Sequence, residues 1–254
     1  MSQHVDILIV GGGIIGLTTA WVLSAEGATV AVVDQGEPGR QASWAGAGIL
    51  PPADLAHAET PIELLRGHSM RLHPAFADEL REQTGVDTGF RRCGGIELPD
   101  PAEPLATLPT EEWHGRGAAW EFLDLQALRR REPDLAPNLE RGAWLPGLCQ
   151  VRNPWHLRAL KAGCAARNVQ LIADWPVQQL LAAGTRALGV EGERGSLPAG
   201  QVLLTAGAWS DALTRQVGWA PRRPSGPRPD RPVADRANRG AASADAGQTL
   251  PGQP

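Results

Sequence analysis

The chain has 254 residues, of which 42% are hydrophobic, and its formal net charge at pH 7 is −4. This length allows one large domain or two ordinary ones, and the hydrophobic fraction is sufficient for a packed core. The acidic balance disfavours nucleic acid as the main partner, and no apolar run approaches the roughly 20 residues that a membrane-spanning helix requires.

The cysteines and the N-terminus indicate the cellular environment. The chain has three cysteines, Cys93, Cys149 and Cys164, and their odd number and wide spacing fit neither a disulfide framework nor a zinc pattern. The N-terminal apolar stretch follows no basic region, so it is predicted to be a strand and not a signal peptide. We therefore expect reduced thiols, no bound metal and a cytoplasmic location.

The N-terminal residues contain the strongest motif. The apolar stretch His4–Val10 leads into Gly11-Gly12-Gly13-Ile14-Ile15-Gly16 and then into a helical pattern, which is the order of a dinucleotide-binding unit. Gly11 is predicted to make the tight turn, Gly13 to let a pyrophosphate approach the backbone, and Gly16 to let the helix pack on the strand. The helix N-terminus then offers N–H groups and a positive dipole to the phosphates.

The next stretch extends this motif. A second buried strand is predicted over 28–33, and Asp34 follows it at the distance from the glycines where an acidic residue accepts hydrogen bonds from an adenosine ribose. Small residues dominate from Gly36 to Leu50, which lets this backbone lie close to a ligand. A flexible surface loop is the alternative, although the apolar pair Ile49-Leu50 disfavours it.

The middle of the chain lacks nucleotide motifs and is assigned to a second, substrate-facing domain. A helix is predicted over 61–82 because apolar residues recur there at helical spacing. Strands are predicted over 90–98 and 143–151, and Asp124 is predicted to cap a helix over 125–131. The apolar stripe expected of the long helix consists of Leu64, Leu65, Met70, Leu72, Phe76 and Leu80.

The last third is predicted to return to the first domain. Asn153-Pro154 has the pattern of a helix start. The segment from Ala206 to Ser210 forms a second glycine-bearing junction between a strand and a helix, where a ligand can come close. From Pro221 onward the sequence is rich in proline and arginine and poor in large apolar residues, so this tail is predicted to be disordered. Four strands are predicted in this third, over 169–173, 177–181, 188–191 and 201–205.

Four stretches carry a resemblance to a known family. They are Gly11–Gly16, Ala42-Ser43-Trp44-Ala45-Gly46-Ala47-Gly48-Ile49-Leu50, Val151-Arg152-Asn153-Pro154-Trp155-His156-Leu157 and Thr205-Ala206-Gly207-Ala208-Trp209-Ser210. In this order and spacing they resemble the FAD-dependent D-amino acid oxidase family, and within it the glycine-oxidising branch linked to thiamine biosynthesis. The resemblance spans Val5 to Trp219.

The resemblance implies the fold and the chemistry. The fold would be α/β, with a Rossmann-like FAD-binding domain over 1–85 and 151–220, an inserted and incomplete α+β substrate domain over 86–150, and the tail over 221–254. The reaction would oxidise a small amine or amino acid (glycine, sarcosine or a D-amino acid) with molecular oxygen. Glycine would give glyoxylate, ammonia and hydrogen peroxide.

The resemblance also implies where FAD would bind. It identifies no catalytic residue, and the histidines at 57, 68, 73 and 156 are interpreted as surface or packing residues. Val177 matches the position whose backbone meets the adenine. Together with the motif glycines, the positions predicted to bind FAD are Gly11, Gly13, Ile14, Ile15, Gly16, Asp34, Gln35, Ala42, Ser43, Ala47, Gly48, Ile49 and Val177.

The sequence departs from the family pattern after Trp219. Family members continue with more strands, a tyrosine and an arginine that hold the substrate carboxylate, and a second flavin-binding stretch, none of which is recognisable here. The chain has no tyrosine, and its Arg-Pro pairs at 223, 228 and 231 lack an apolar strand context. We therefore expect a truncated member whose native-like sequence ends near Trp219 and whose oxidase activity is small or absent.

Two other interpretations remain open. An NAD(P)-dependent dehydrogenase agrees with the glycine motif but not with the small residues that continue to Leu50. A non-catalytic flavin-binding fragment agrees with all four stretches. The bound cofactor and the release of peroxide distinguish these classes, while the sequence fixes neither the preferred amine nor the oligomeric state.

Overall fold

The structure is a computed structural model that describes residues 4–99, 108–115 and 117–218. The predicted disordered tail over 221–254 therefore lies outside the described residues, as does most of the proline-rich stretch after Pro99. The chain divides into two compact units. Unit 1 comprises Met1–Gly46 and Leu160–Pro254, and unit 2 comprises Ala47–Ala159.

The described residues form eleven strands, seven α-helices and two 3₁₀ helices. The strands are β1 (Val5–Val10), β2 (Val30–Val33), β3 (Ile49–Leu50), β4 (Gly95–Glu97), β5 (Glu121–Leu123), β6 (Gly142–Leu145), β7 (Cys149–Gln150), β8 (Gln170–Ile172), β9 (Val177–Ala183), β10 (Arg186–Gly192) and β11 (Gly195–Leu204). The helices are α1 (Ile14–Ala25), α2 (Ala42–Ala45), α3 (Pro61–Thr84), α4 (Thr110–Gly115), α5 (Leu125–Arg131), α6 (Asn153–Ala166) and α7 (Ser210–Gln216). Two 3₁₀ helices cover Leu55–His57 and Gly207–Trp209.

Unit 1 is built on a six-stranded sheet in the order β8-β2-β1-β11-β10-β9. The pairs β8–β2, β2–β1 and β1–β11 are parallel, and β10 and β9 continue the sheet antiparallel. The β1–α1–β2 segment is the strand, glycine turn, helix and strand unit that the sequence predicts. The parallel part with its crossover helix confirms an α/β fold.

The buried strands account for this arrangement. Leu8 and Ile9 of β1 and Val32 and Val33 of β2 are completely buried. Strands that are buried on both faces have continuous apolar sequences instead of alternating ones, which is the pattern of β2 and, apart from the exposed Asp6, of β1. Helix α1 contacts both strands and contributes the buried Leu17.

Unit 2 contains a three-stranded antiparallel sheet in the order β4-β6-β5 and a separate β3–β7 pair. Its longest element is α3, which begins with a capping box between Thr60 and Glu63 and ends at Gly85 with a φ of 69°. Glycine tolerates that left-handed conformation and commonly ends helices. Helix α5 is capped as predicted, because Asp124 Oδ1 accepts a 2.7 Å hydrogen bond from the Ala127 N–H.

Some predicted features of unit 2 differ in the structure. The apolar stripe of α3 is wrong in its N-terminal half, because Leu64, Leu65 and Leu72 are exposed while Leu80 is completely buried. Helical periodicity indicates which side chains share a face, but not how much of that face another element covers. The single strand predicted over 143–151 is divided into β6 and β7, and α4 and β5 were not predicted.

The unit boundaries also differ from the predicted domain limits at 85 and 150. Strand β3 pairs with β7, so the chain enters unit 2 directly after α2. The assignment of the units to cofactor and substrate domains stays a prediction. In the part of the chain that the structure describes, no helix is long and apolar enough to cross a membrane.

Candidate functional site

The glycine turn after β1 has no room for a side chain at Gly11 or at Gly16. Gly11 has a φ of 106°, and a Cβ there would lie 2.5 Å from the carbonyl oxygen of Thr205. A Cβ at Gly16 would lie 2.0 Å from the Gly11 carbonyl oxygen. Real Cβ atoms do not approach backbone atoms so closely, so both glycines have the structural roles that the motif predicts.

Polar side chains hold this turn from both neighbouring strands. Thr205, which follows β11, donates its hydroxyl hydrogen to the Gly11 carbonyl oxygen at 2.7 Å. Asp34, which follows β2, accepts a hydrogen bond from the Gly12 N–H at 2.7 Å through Oδ2. The turn is therefore fixed before any ligand binds, which lowers the cost of ordering it on binding.

The N-terminus of α1 opens directly after the turn. Gly13 is the N-cap residue and has no side chain to cap the helix, so Ser43 Oγ accepts the Ile14 N–H instead, at 2.9 Å. The N–H groups of Ile15 and Gly16 lie in the first turn, where no intrahelical carbonyl is available. These donors and the positive end of the helix dipole suit a phosphate.

Asp34 keeps unused acceptor capacity beside the glycine turn. Its Oδ1 accepts the Gly36 N–H at 3.0 Å, so each carboxylate oxygen holds one backbone N–H. A carboxylate has about four acceptor positions, which leaves two for ribose hydroxyls. Asp34 thus both shapes the glycine turn and offers acceptors beside it.

A cavity of about 280 Å³ lies over these groups, entirely within unit 1. One side is formed by the segment before and at the start of β9, in which the Trp175 N–H donates to the Asp34 carbonyl oxygen at 2.9 Å. The other side is formed by the junction between β11 and α7. The lining residues are Val10, Gly11, Gly13, Val33, Asp34, Gln35, Gln41, Ala42, Ser43, Trp175, Pro176, Val177, Gln178, Thr205, Ala206, Gly207, Trp209, Ala212, Leu213 and Gln216.

The structure brings most of the predicted positions together. Ile14, Ile15 and Gly16 form the first turn of α1. Ala47, Gly48 and Ile49 belong to unit 2, where a Cβ at Gly48 would lie 2.0 Å from the Val151 carbonyl oxygen. The predicted positions that line the cavity are Gly11, Gly13, Asp34, Gln35, Ala42, Ser43 and Val177.

The cavity also contains residues that are not among the predicted FAD-binding positions. Thr205 and Trp209 belong to the second glycine-bearing junction, so their place at the site could have been inferred from that motif. Gln216 is the last residue of α7 and belongs to no recognised sequence motif. Trp175 precedes β9, in a segment that has no nucleotide-binding pattern. Only the tertiary structure brings these two residues to the cavity.

Unit 2 has buried histidines but no assembled catalytic group. His156 is only 4% exposed, and burial lowers the pKa of its imidazole to about 4. Burial likewise lowers the pKa of His73, whose ring lies 5.6 Å from that of His156 between centroids. Both Nδ1 atoms are buried and lack a partner within the described part of the chain. We assign neither histidine a catalytic role.

Cys149 and Cys164 are buried packing residues, whereas Cys93 is exposed. All three are free, and Cys164 donates its Sγ–H to the Leu17 carbonyl oxygen at 3.5 Å. Burial raises the pKa of the Cys164 thiol to about 12, which keeps it protonated and unreactive. Over residues 4–99, 108–115 and 117–218, no three histidine, cysteine or acidic side chains are grouped to hold a metal.

Comparisons with known proteins bear on this site. The sequence profile of the DAO family, described as FAD dependent oxidoreductase, matches residues 6–234. The glycine oxidase of Pseudomonas putida is 35% identical over 216 residues, which cover 84% of this chain and 58% of that protein. The glycine oxidase of Pseudomonas aeruginosa is 33% identical over 226 residues, which cover 86% of this chain and 59% of that protein. The crystal structure of glycine oxidase from Bacillus cereus matches with a TM-score of 0.75 at 27% identity, covering 83% of this chain and 57% of that one.

The extent of these matches has two consequences. The chain spans 58% and 59% of the two curated relatives, so it corresponds to little more than half of either protein. The family profile continues to residue 234. It therefore extends beyond Trp219, near which the family-like sequence was predicted to end.

Proposed function

The chain belongs to the DAO family of FAD-dependent oxidoreductases, and from this premise we propose that unit 1 binds the adenosine diphosphate part of FAD in an amine or amino acid oxidase of the glycine oxidase type. FAD supplies the two-electron redox chemistry, in which glycine, water and oxygen give glyoxylate, ammonia and hydrogen peroxide. The contribution of this chain is to bind and orient the cofactor.

The observation that carries the proposal is the pre-formed glycine turn. Thr205 and Asp34 fix the turn, and Ser43 accepts the Ile14 N–H at the start of α1. The pyrophosphate would lie against Gly13 and the first turn of α1, and the ribose hydroxyls would donate to Asp34. The adenine would then lie in the cavity beside Val177. The assignment of Ala47, Gly48 and Ile49 to FAD stays a prediction from the resemblance.

The substrate is proposed to be a small amine or amino acid, with glycine and sarcosine the first to test. Two relatives with at least 33% identity carry the name glycine oxidase. In unit 2, a mainly apolar cavity of about 350 Å³ begins at Leu50, one residue after the Ala47–Ile49 segment, and is also lined by Arg66 and His73. Its size suits a small substrate, and its guanidinium suits a carboxylate.

The experiment has a binding step and a reaction step. Purified chain is titrated with FAD, and quenching of flavin fluorescence gives the dissociation constant. Glycine, sarcosine or D-alanine is then added without oxygen, and loss of the visible flavin absorbance is recorded, followed by peroxide formation in air. Saturable FAD binding supports the cofactor assignment, while binding of NAD(P) in its place contradicts it. Bound flavin that stays oxidised with all three substrates contradicts an amine oxidase activity of this chain.

A further inference from the structure

Gln216 connects the two sides of the unit 1 cavity. It is the last residue of α7, and its Nε2 donates to the carbonyl oxygen of Gln178 at 2.8 Å. Its Oε1 accepts the Leu180 N–H at 3.3 Å. One side-chain amide therefore holds two backbone groups of β9, and Gln216 and Gln178 both line the cavity.

The position of β9 explains why an amide fits there. Strand β9 ends the sheet order, with β10 on one side only, so alternate residues direct unpaired N–H and C=O groups outward. The C=O of residue 178 and the N–H of residue 180 both bond to Gln216, beside a shift in the β9–β10 register between Val177 and Gln179. A neighbouring strand would satisfy these two groups with an N–H and a C=O of its own, and the Gln216 carboxamide supplies both instead.

We propose that Gln216 is a positioning residue that fixes the β9 edge for recognition of adenine, and so determines the preference of the site for an adenine dinucleotide. The inference rests on the proposed function. Val177, the position predicted to meet the adenine, lies directly before the held carbonyl of Gln178. In this proposal the Val177 N–H and C=O pair with the N1 acceptor and the 6-amino donor of adenine, while Gln216 occupies the neighbouring groups of Gln178 and Leu180 and keeps this edge in place.

Hypoxanthine provides a sensitive comparison. It presents an oxygen acceptor and an N1–H donor where adenine presents the reverse, so a fixed backbone edge accepts adenine and rejects hypoxanthine. Flavin hypoxanthine dinucleotide is otherwise the same ligand as FAD. The ratio of the two dissociation constants therefore reports the placement of the edge and cancels a general loss of stability or of phosphate binding.

The test measures this ratio in the full chain and in variants. Gln216→Leu removes both hydrogen bonds with a side chain of similar size, and Gln179→Leu is the matched control on the same strand, exposed and outside the cavity lining. We expect the unchanged chain to prefer FAD, Gln216→Leu to reduce that preference about tenfold, and Gln179→Leu to retain it. Gln216→Glu keeps an acceptor for the Leu180 N–H but cannot donate to Gln178. It should therefore also reduce the preference for FAD, and it provides the test if Gln216→Leu does not fold.

The possible outcomes distinguish failure of the Gln216 inference from failure of the proposed function. Equal weakening of FAD and its hypoxanthine analogue in both Gln216 variants shows that Gln216 only stabilises the fold and overturns the inference. An unchanged chain that binds both dinucleotides equally well also overturns it, because no adenine recognition then exists. If the unchanged chain binds neither dinucleotide, the proposed function itself fails.

Discussion

The glycines of the turn differ in what a methyl group would meet. At Gly11 and Gly16 it would collide with backbone, whereas at Gly13 the nearest neighbour within reach is the Ser43 Oγ, at 3.2 Å. A hydroxyl can move by the few tenths of an ångström that this contact requires. Substitution at Gly13 can therefore separate cofactor binding from folding, which substitution at the other two cannot.

We predict that Gly13→Ala leaves the fold intact and weakens FAD binding by at least about tenfold, because the added methyl group occupies space that the pyrophosphate needs. Gly36→Ala is the matched control, since its Cβ would have only Gln41 Nε2 near it, at 4.0 Å. Fluorescence titration and urea unfolding of both variants check the prediction. Normal FAD affinity in Gly13→Ala would mean that the phosphates lie elsewhere.

Asp34 has two proposed functions, holding the glycine turn and accepting from the ribose, and replacing its carboxylate by an amide weakens both. Asp34→Asn keeps one oxygen for a backbone N–H but loses the charge and half of the acceptor capacity. We predict that FAD binding weakens by about 1–3 kcal/mol, the contribution of charge-assisted hydrogen bonds to the ribose. Glu37→Gln is the control, because Glu37 pairs with Lys161 and Arg40 and does not line the cavity. An equal loss in both variants would indicate a general effect of negative charge.

For individual residues, the sequence predicts the contacts that depend on the geometry of neighbouring residues in the chain. The roles of Gly11 and Gly16 follow from steric limits within a few residues, so a motif is sufficient to predict them. Thr205 bonds to Gly11 across 194 positions, and Gln216 bonds to Leu180 across 36. Such long-range partners are determined by the order of strands in the sheet, which no single motif specifies.

Among the elements, α3 and α6 contribute to an aromatic cluster within unit 2, in which His156 is buried and His73, Phe76 and Phe90 are partly buried. His73 stacks on Phe90 with ring centroids 5.0 Å apart, and Phe76 lies 5.7 Å from His156. Burial among these rings disfavours the charged imidazolium, which is why the pKa of His156 is lowered to about 4. The cluster is stable only while its histidines are neutral.

This burial predicts an acid sensitivity. The unfolded chain binds a proton at His156 near the ordinary pKa of 6.5, whereas the folded chain does so only near 4. Stability is therefore complete above pH 6.5 and falls as the pH is lowered toward 4, by about 3 kcal/mol in all. His73, whose pKa is also lowered by burial, contributes in the same direction.

The measurement is urea unfolding of the chain at pH 7 and pH 5. We expect His156→Phe, which keeps a ring against Phe76, to lose part of the destabilisation at pH 5, while the exposed control His68→Gln retains all of it. Carboxyl groups such as Asp87, whose pKa Arg91 lowers, titrate below this range. A His156→Phe variant with the full pH dependence would show that another group causes it.

The elements predicted from sequence are those with strong local signals. The long helix α3 has a capping box, a proline at its start and a terminating glycine, and its bounds are close to the predicted ones. By contrast, β5 has three residues and α4 has six, so neither contains enough residues to establish a period. The leucines of the predicted apolar stripe of α3 are exposed in its N-terminal half, because periodicity carries no information about the partner surface.

For the whole molecule, the sequence predicts the class of fold but not the limits of its units. The glycine motif and the returning strands indicate one α/β sheet assembled from both ends of the chain, and unit 1 has this arrangement. The unit boundary lies at Gly46 because two-residue strands, β3 and β7, pair within unit 2. Strands of this length have no recognisable sequence pattern.

The choice of dinucleotide is a property of the folded molecule and can be tested by unfolding. A ligand that binds only the native state stabilises it by about 2.7 kcal/mol at a concentration of 100 times its dissociation constant. For a chain of this size that corresponds to about 5–10 °C in the melting temperature. We predict such a shift with FAD, rising with the logarithm of its concentration, and a smaller shift with NAD or NADP at the same concentration, because these ligands share only the adenosine part and the diphosphate with FAD. Gly13→Ala serves as the control, because its melting temperature should respond little to FAD. A shift with NAD or NADP in the absence of one with FAD would identify a dehydrogenase site and refute the flavin assignment.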